Sequence, residues 1–230
     1  MKNKPSYFTP FEKILLSFSL LVTVLVFVIF DRSNYLNMLA SMLGIVAVIF
    51  CAKGNPIGQA LIIAFGMMYA YISFTYAYYG EMLTYLGMTT PMAIYALISW
   101  IRNPYGTSHS EVKVGKIGGR DIALLIPLTL LVTLLFYFIL KHLGTSNLLV
   151  STFSVSTSFV AVYFSARRSP LYALGYALND VVLIILWIMA SIEDSSYVSV
   201  VVCFSIFLLN DMYGFFNWQW MKKRQSINKV

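Results

Sequence analysis

Charge is scarce in this chain. Asp, Glu, Lys and Arg make up 11% of its 230 residues, where soluble domains carry about 25%. That shortfall leaves too little polar surface to wet a globule and excludes an ordinary water-soluble domain. Cysteine and histidine are almost missing, at two residues each. Cys51 and Cys203 fall inside apolar stretches, and His109 and His142 fall in separate loops. A disulfide framework, a metal-ligand cluster and a histidine-based catalytic centre therefore have nothing to build on. No nucleophile sits beside a base, so an enzyme is not expected, and no cofactor is implied. A small-residue cleavage site is also lacking after the first apolar stretch, which reads as a retained anchor and not as a signal peptide.

What the chain has in abundance is hydrophobic length: 59% of its residues are apolar and the mean hydropathy is +0.77. A bilayer core of about 30 Å takes around 20 apolar residues in a helix. Eight stretches qualify: 14–30, 36–52, 57–79, 82–101, 122–140, 148–164, 170–192 and 197–221. The fold class is an all-α integral membrane bundle of eight transmembrane helices, with the lipid bilayer as its first partner. The net charge of +7 does not point to nucleic acid, because of where the charges lie. With the N-terminus in the cytoplasm, every Lys and Arg except Arg32 and Lys141 falls inside, while Asp31, Glu81, Glu193 and Asp194 fall outside. This matches the positive-inside rule and supports all eight spans together, since one missed helix would invert every later loop. The chain is thus expected in a cytoplasmic membrane with both termini inside.

The spans also repeat. Lys53 and Pro56 match Arg167 and Pro170 at an offset of 114, each pair leading into a long span. Two spans on, Ala93-Ile94-Tyr95-Ala96 with Trp100 matches Asp211-Met212-Tyr213-Gly214 with Trp218 at an offset of 118. Spans two to four thus pair with six to eight, and the fifth span between them restores the orientation. The repeats are parallel, the arrangement of SWEET-type carriers, whose site lies between repeats near the midplane. The organisation is an extra N-terminal helix over 1–35, a first triple-helix repeat over 36–101, a cytoplasmic connector and linking helix over 102–146, and a second repeat with a basic tail over 147–230. The turn Asn103-Pro104-Tyr105-Gly106 and the pair Gly118-Gly119 mark the connector.

Two aspartates interrupt the apolar spans, each preceded by an asparagine: Asn179-Asp180 and Asn210-Asp211. A mid-span carboxylate costs about 2.5–3.5 kcal/mol on insertion scales and marks a functional site. Asp180 and Trp187 stand two helical turns apart, as do Asp211 and Trp218, and Tyr172 and Tyr176 extend the Asp180 face. Tyr69, Ser73 and Tyr76 form a second stripe, and Gln59 adds an amide. Such a cavity suits a planar heterocycle bearing a sugar: aromatic rings stack, amides and carboxylates bind hydroxyls, and a carboxylate meets a ring cation. Trp100, Trp218 and Trp220, near helix ends, read as interface-belt residues. Gly44, Gly66 and Gly175 are expected at close helix approaches, and Pro91 is expected to kink span four.

With the motifs Tyr95/Trp100 and Tyr213-Gly214/Trp218, Asn179 in span seven and the acidic pair Glu193-Asp194, the chain resembles the PnuC-type vitamin transporters over roughly residues 36–223. The resemblance implies a SWEET-like 3+1+3 helix fold and a homotrimer. It also implies facilitated diffusion of an unphosphorylated vitamin, most closely nicotinamide riboside, with thiamine or riboflavin as alternatives. Beside the resemblance, a mid-span aspartate that cycles a proton would make a coupled carrier, and a structural or receptor membrane protein is the alternative class. The substrate-binding candidates read from the stripes are Asn179, Asp180, Asn210, Asp211, Trp187, Tyr172, Tyr176, Gln59 and Tyr213, of which Asn179 and Tyr213 also fall on the family's motifs. The chain departs from the family at Tyr172 and Gly175, where tryptophans are usual, and at Ala93 and Asp211, where an asparagine is usual. Those departures fall on the pocket, where the substrate is chosen.

Overall fold

A computed structural model of the chain describes residues 7–30, 32, 35–75, 79–107, 109–145 and 147–227. Tyr76 of the tyrosine stripe and Lys2, Lys4, Asp31 and Lys229 of the charge pattern lie outside them. The elements are α1 (Pro10–Phe30), α2 (Tyr35–Ala52), α3 (Pro56–Thr75), α4 (Tyr79–Thr84), a π turn (Tyr85–Thr89), α5 (Thr90–Ile101), α6 (Gly119–His142), α7 (Leu148–Ala166), α8 (Leu171–Glu193), a 3₁₀ turn (Ser195–Tyr197) and α9 (Val198–Ile227). Counting α4 to α5 as one broken helix, eight helices among the described residues are long and apolar enough to cross a membrane. α1 and α6 bury the least of themselves. α6 turns Leu124, Leu130, Leu131, Leu134, Leu135 and Phe138 outward, as a lipid-facing helix does.

The turns after α2 and α7 are built alike. Gly54 and Arg168 take left-handed backbones, φ 67° and 55°. Their N–H groups donate to Cys51 O and Ser165 O, and the next N–H groups, of Asn55 and Ser169, donate to Phe50 O and Phe164 O. This is the pairing of a Schellman cap. Asn55 Oδ1 and Ser169 Oγ then accept from the N–H groups of Ile57 (2.9 Å) and Leu171 (3.3 Å), and so start the next helix. Pro56 opens α3, and Pro170 stands immediately before α8; a proline costs nothing where the N–H has no helical partner.

The correspondence extends to packing. α2 lies on α9, and α5 lies on α7. At the first contact, Trp218 Nε1 donates to Cys51 O (2.9 Å) and Asn217 Nδ2 to Ala52 O (2.8 Å). At the second, Trp100 Nε1 donates to Ser165 O (2.8 Å) and Ser99 Oγ to Ala166 O (2.8 Å). These are the same bonds at positions 114 and 118 residues apart. The connector crosses both turns: Val112 N donates to Gly54 O and Gly115 N to Arg168 O, each at 2.8 Å. Its own hairpin is held by Tyr105 N to Glu111 O and Lys113 N to Asn103 O.

Small residues sit where helices touch. A Cβ on Gly44 would come within 2.6 Å of the Phe207 ring, and one on Gly66 within 2.7 Å of Thr90 Oγ1. One on Gly175 would come within 2.8 Å of Ala161 Cα. The break in span four lies just ahead of Pro91. The span widens into the π turn one residue before the α5 start that carries Pro91, a break of the kind that gathers at functional sites.

Candidate functional site

α2, α3, the π turn, α7, α8 and α9 enclose a small cavity of about 80 Å³. Gln59, Tyr172, Tyr176, Asn179, Asp180 and Asp211 all line it. Asp180 from α8 and Asp211 from α9 thus bring two carboxyl groups from neighbouring helices to one cavity. Both residues are buried. Among the described residues, Asp180 Oδ2 and the Tyr172 hydroxyl have no hydrogen-bond partner, and no Lys, Arg or His lines the cavity. Buried polar atoms without partners are costly, so these two are the groups that a ligand would satisfy.

The surrounding bonds fix the wall. Thr157 Oγ1 donates to Asn179 Oδ1 (2.8 Å), which sets the amide's orientation from α7. Gln59 Nε2 donates to Ser165 Oγ (3.0 Å) and, at 3.4 Å, to Cys51 Sγ, bridging α3 to α7 and α2. The Tyr172 ring packs edge-on against Trp218 (5.0 Å), Trp100 (6.2 Å) and Tyr176 (6.2 Å). Trp100 and Trp218 meet at 5.3 Å and are wholly buried. They are therefore not the belt residues that their place near helix ends indicates; each is held inside by its N–H bond to the opposite half of the bundle. Trp220, at 59% exposure, faces outward. Beneath the tryptophans Val112 of the connector completes the seal.

The other end of the bundle is open. Two larger cavities, of about 530 and 400 Å³, lie there, and both are lined by Glu81, Trp187, Asp194 and Tyr197. The larger shares Tyr85, Thr89, Asn179, Leu183 and Phe204 with the small cavity and forms its mouth. Tyr69 and Ser73 of the tyrosine stripe line the 400 Å³ cavity. Trp187 packs on Tyr197 at 5.3 Å. At the rim the Ser196 N–H donates to Asp194 Oδ1 (2.9 Å), which holds that carboxyl below the usual carboxylate range. The rim thus carries an ionised carboxylate at neutral pH.

Three of the residues singled out in the sequence lie away from the small cavity. Trp187 stands in the outer cavities and not beside Asp180. Asn210 is buried against α1, where its Nδ2 donates to Ile206 O (2.8 Å) and Ser19 Oγ (3.2 Å). Tyr213 also faces α1, and its hydroxyl donates to Glu12 Oε1 (2.7 Å). Conversely, the π turn contributes Tyr85 and Thr89 to the wall, and Tyr85 packs on Tyr69 at 4.7 Å. The run Thr89-Thr90-Pro91 in an apolar span was the available signal for that break.

The family model described as nicotinamide mononucleotide transporter matches residues 34–220. Among curated proteins, the nicotinamide riboside transporter PnuC of Neisseria mucosa is 27% identical over 95% of this chain and 84% of its own length. Its counterpart in Haemophilus influenzae is 25% identical over 94% of this chain and 93% of its own. The crystal structure of the vitamin B3 transporter PnuC superposes with a TM-score of 0.81 at 26% identity, covering 95% of this chain and 94% of that one.

Proposed function

The chain belongs to the nicotinamide mononucleotide transporter family, and we propose that it carries nicotinamide riboside across a cytoplasmic membrane. The observation that carries this reading is the acid pair in an aromatic wall: Asp180 and Asp211 face one cavity with Tyr172, Tyr176 and Tyr85 around it and, among the described residues, no basic one. The riboside is a permanent ring cation bearing a sugar. Its pyridinium would lie against the carboxyls, its ring against the tyrosines, and its hydroxyls on Asn179, Gln59 and Tyr172. Trp187 and Tyr197 would receive it first in the mouth. Both relatives named for nicotinamide riboside support the substrate.

The transport cycle in this reading is alternating access of two parallel triple-helix repeats, 36–101 and 147–230, joined by the connector and linking helix over 102–146. The paired bonds at Trp100 and Trp218 support it, since each fastens one repeat to the other at the closed end. Both termini lie in the cytoplasm, so the basic, closed end is the inner one and the Asp194 mouth opens outward. The assembly is a homotrimer. Calorimetric titration of the purified chain with nicotinamide riboside, thiamine and riboflavin tests the substrate. Binding of the riboside alone, or most tightly, is the expected result, and preference for neutral riboflavin would replace the reading.

A further inference from the structure

The two outer cavities meet on four side chains that line both: Glu81 from α4, Trp187 from α8, and Asp194 and Tyr197 at either end of the 3₁₀ turn. Among the described residues no Lys, Arg or His lines either cavity, and Glu193 adds a further carboxyl to the larger. Trp187 and Tyr197 pack at 5.3 Å. Two aromatic rings therefore stand beside the carboxyl groups, the surroundings in which an organic cation is held. Two buried hydroxyls show that the chamber is built for a ligand. Ser73, 2% exposed, lines the smaller outer cavity, and Thr89, 8% exposed, lines the larger. Neither side chain has a hydrogen-bond partner among the described residues, so both wait for one. Room points the same way. Ligand pockets commonly hold about 300–1,000 Å³. The outer cavities, at about 400 and 530 Å³, fall in that range, and the small cavity, at about 80 Å³, falls well below it.

We propose that Glu81, Asp194, Trp187 and Tyr197 form a second binding site, a loading site that takes up an aromatic cation before the small cavity opens to receive it. This rests on the reading of the small cavity as a site for a cationic vitamin. It leaves carriage downhill, because a site that is passed in both directions adds no energy. The walls give the route inward. Between the smaller outer cavity and the small one stand Phe65, Phe204 and Phe207, with ring contacts at 6.0 and 5.8 Å. That wall offers a sugar's hydroxyls nothing in exchange for water. Between the larger outer cavity and the small one stand Tyr85, Thr89, Ser158 and Asn179, whose hydroxyls and amide replace water along the way. The cation loads against the carboxyls and then follows the polar wall. Glu81 stands four residues before Tyr85, one turn away on the same broken span. The carboxyl that holds the cation and the ring at the entrance to the small cavity thus belong to one element, next to the π turn.

Stopped-flow tryptophan fluorescence of the full-length chain in lipid nanodiscs, mixed with nicotinamide riboside, tests the loading site. Of the four tryptophans, only Trp187 lines the outer cavities; Trp100 and Trp218 lie in the buried cluster beside Tyr172. A pyridinium ring quenches an indole that it touches. The expected record is a fast quench whose rate rises linearly with riboside, followed by a slower one that saturates. The fast phase is expected to vanish in Trp187→Phe, to weaken as salt is raised, and to be faint with uncharged nicotinamide. Glu81→Gln is expected to weaken the fast phase's affinity about fivefold, the order of one ion contact in wet surroundings, and to leave the slow phase's amplitude at saturation. Asp180→Asn is expected to do the reverse. If Glu81→Gln does not fold, the salt series and the charge comparison on the unaltered chain decide. A slow phase alone, or a fast one indifferent to salt and charge, overturns the loading site and leaves the small cavity's role standing. A fast phase alone supports the loading site and removes that role, and the absence of both phases removes both.

Discussion

Asp180 is the side chain on which the site's chemistry turns, because its Oδ2 is buried in the cavity without a partner. Replacing it by Asn keeps the shape and removes the charge. Loss of a desolvated charge pair commonly costs about 2–5 kcal/mol, so Asp180→Asn is expected to weaken the cationic riboside by that amount and its uncharged reduced form far less. Titration of both ligands against the variant measures the difference, and equal losses would return Asp180 to a purely structural role. Asn210 has a different fate. Its amide ties α9 to Ser19 of α1, so Asn210→Ala is expected to lower thermal stability by about 1–2 kcal/mol, the cost of a lost buried hydrogen bond, with affinity unchanged. The two aspartates were legible in the sequence because nothing hides a charge in an apolar run. Their neighbours were harder to place. Asn210 and Tyr213 stand one and two residues from Asp211, and side chains so spaced leave a helix in different directions. Trp187 does share a helical face with Asp180, but seven residues advance roughly 10 Å along the axis, enough to move it from the inner cavity to the mouth.

Among the elements, α1 is the one that the sequence left without a task, and the structure gives it a buried charge. Glu12, 1% exposed, accepts from Lys53 Nζ at 2.8 and 2.9 Å and from the Tyr213 hydroxyl at 2.7 Å. Lys53 belongs to the turn after α2 and Tyr213 to α9, so one carboxylate on α1 joins both halves of the bundle near its closed end. Tyr7 adds to the joint, accepting from Asn55 Nδ2 at 2.7 Å beneath the Lys53 ammonium, and burial pushes its hydroxyl above the usual tyrosine range. Removing one partner of a buried ion pair costs about 3–5 kcal/mol because the other charge is stranded. Lys53→Met is therefore expected to destabilise the protein by that order, and Glu12→Gln by less, since the amide keeps a bond to Tyr213. The double variant is expected to recover part of the Lys53→Met loss. A thermal-unfolding cycle over the four proteins measures this coupling, and strict additivity would show that the pair is idle. Helix positions were readable from hydrophobic length, and all eight spans stand where that length puts them. The Glu12 joint was not readable, since it closes between residues 41 and 201 positions apart and leaves no local pattern. The π turn was hidden for a related reason: Pro91 announces a break, but the widening before it depends on what packs against Tyr85 and Thr89.

For the molecule as a whole, the matched bonds across the bundle argue for two halves that move against each other about the end that the tryptophans close. The sequence carried the symmetry faintly, through Lys53-Pro56 against Arg167-Pro170 and Trp100 against Trp218. What it could not carry is that each tryptophan reaches into the other half, which requires the packing of α2 on α9 and α5 on α7. The proposed orientation rests on charge. Reporter fusions after Lys229 are expected to report cytoplasm, and fusions after Glu193 the exterior; the reverse would invert the proposed cycle. Gating is testable at the bonds themselves. Trp218→Phe keeps most of the ring but removes the N–H that donates to Cys51 O, a loss of about 1 kcal/mol. If that bond helps to hold the inner end shut, its loss shifts the balance toward the inward-open form by roughly fivefold. Cys51 offers a built-in reporter, being a free, buried thiol that lines the small cavity just beyond the tryptophans. With Cys203→Ser as background, a membrane-impermeant thiol reagent applied from the cytoplasmic side is expected to modify Cys51 several-fold faster in Trp218→Phe than in the parent. Trp100→Phe, which frees Ser165 O on the other half, is expected to do the same, and the two together to add. Riboside present at saturation would slow the labelling by filling the cavity. Unchanged rates in both variants would mean that the tryptophans only pack the bundle, and that the inner end opens by some other break.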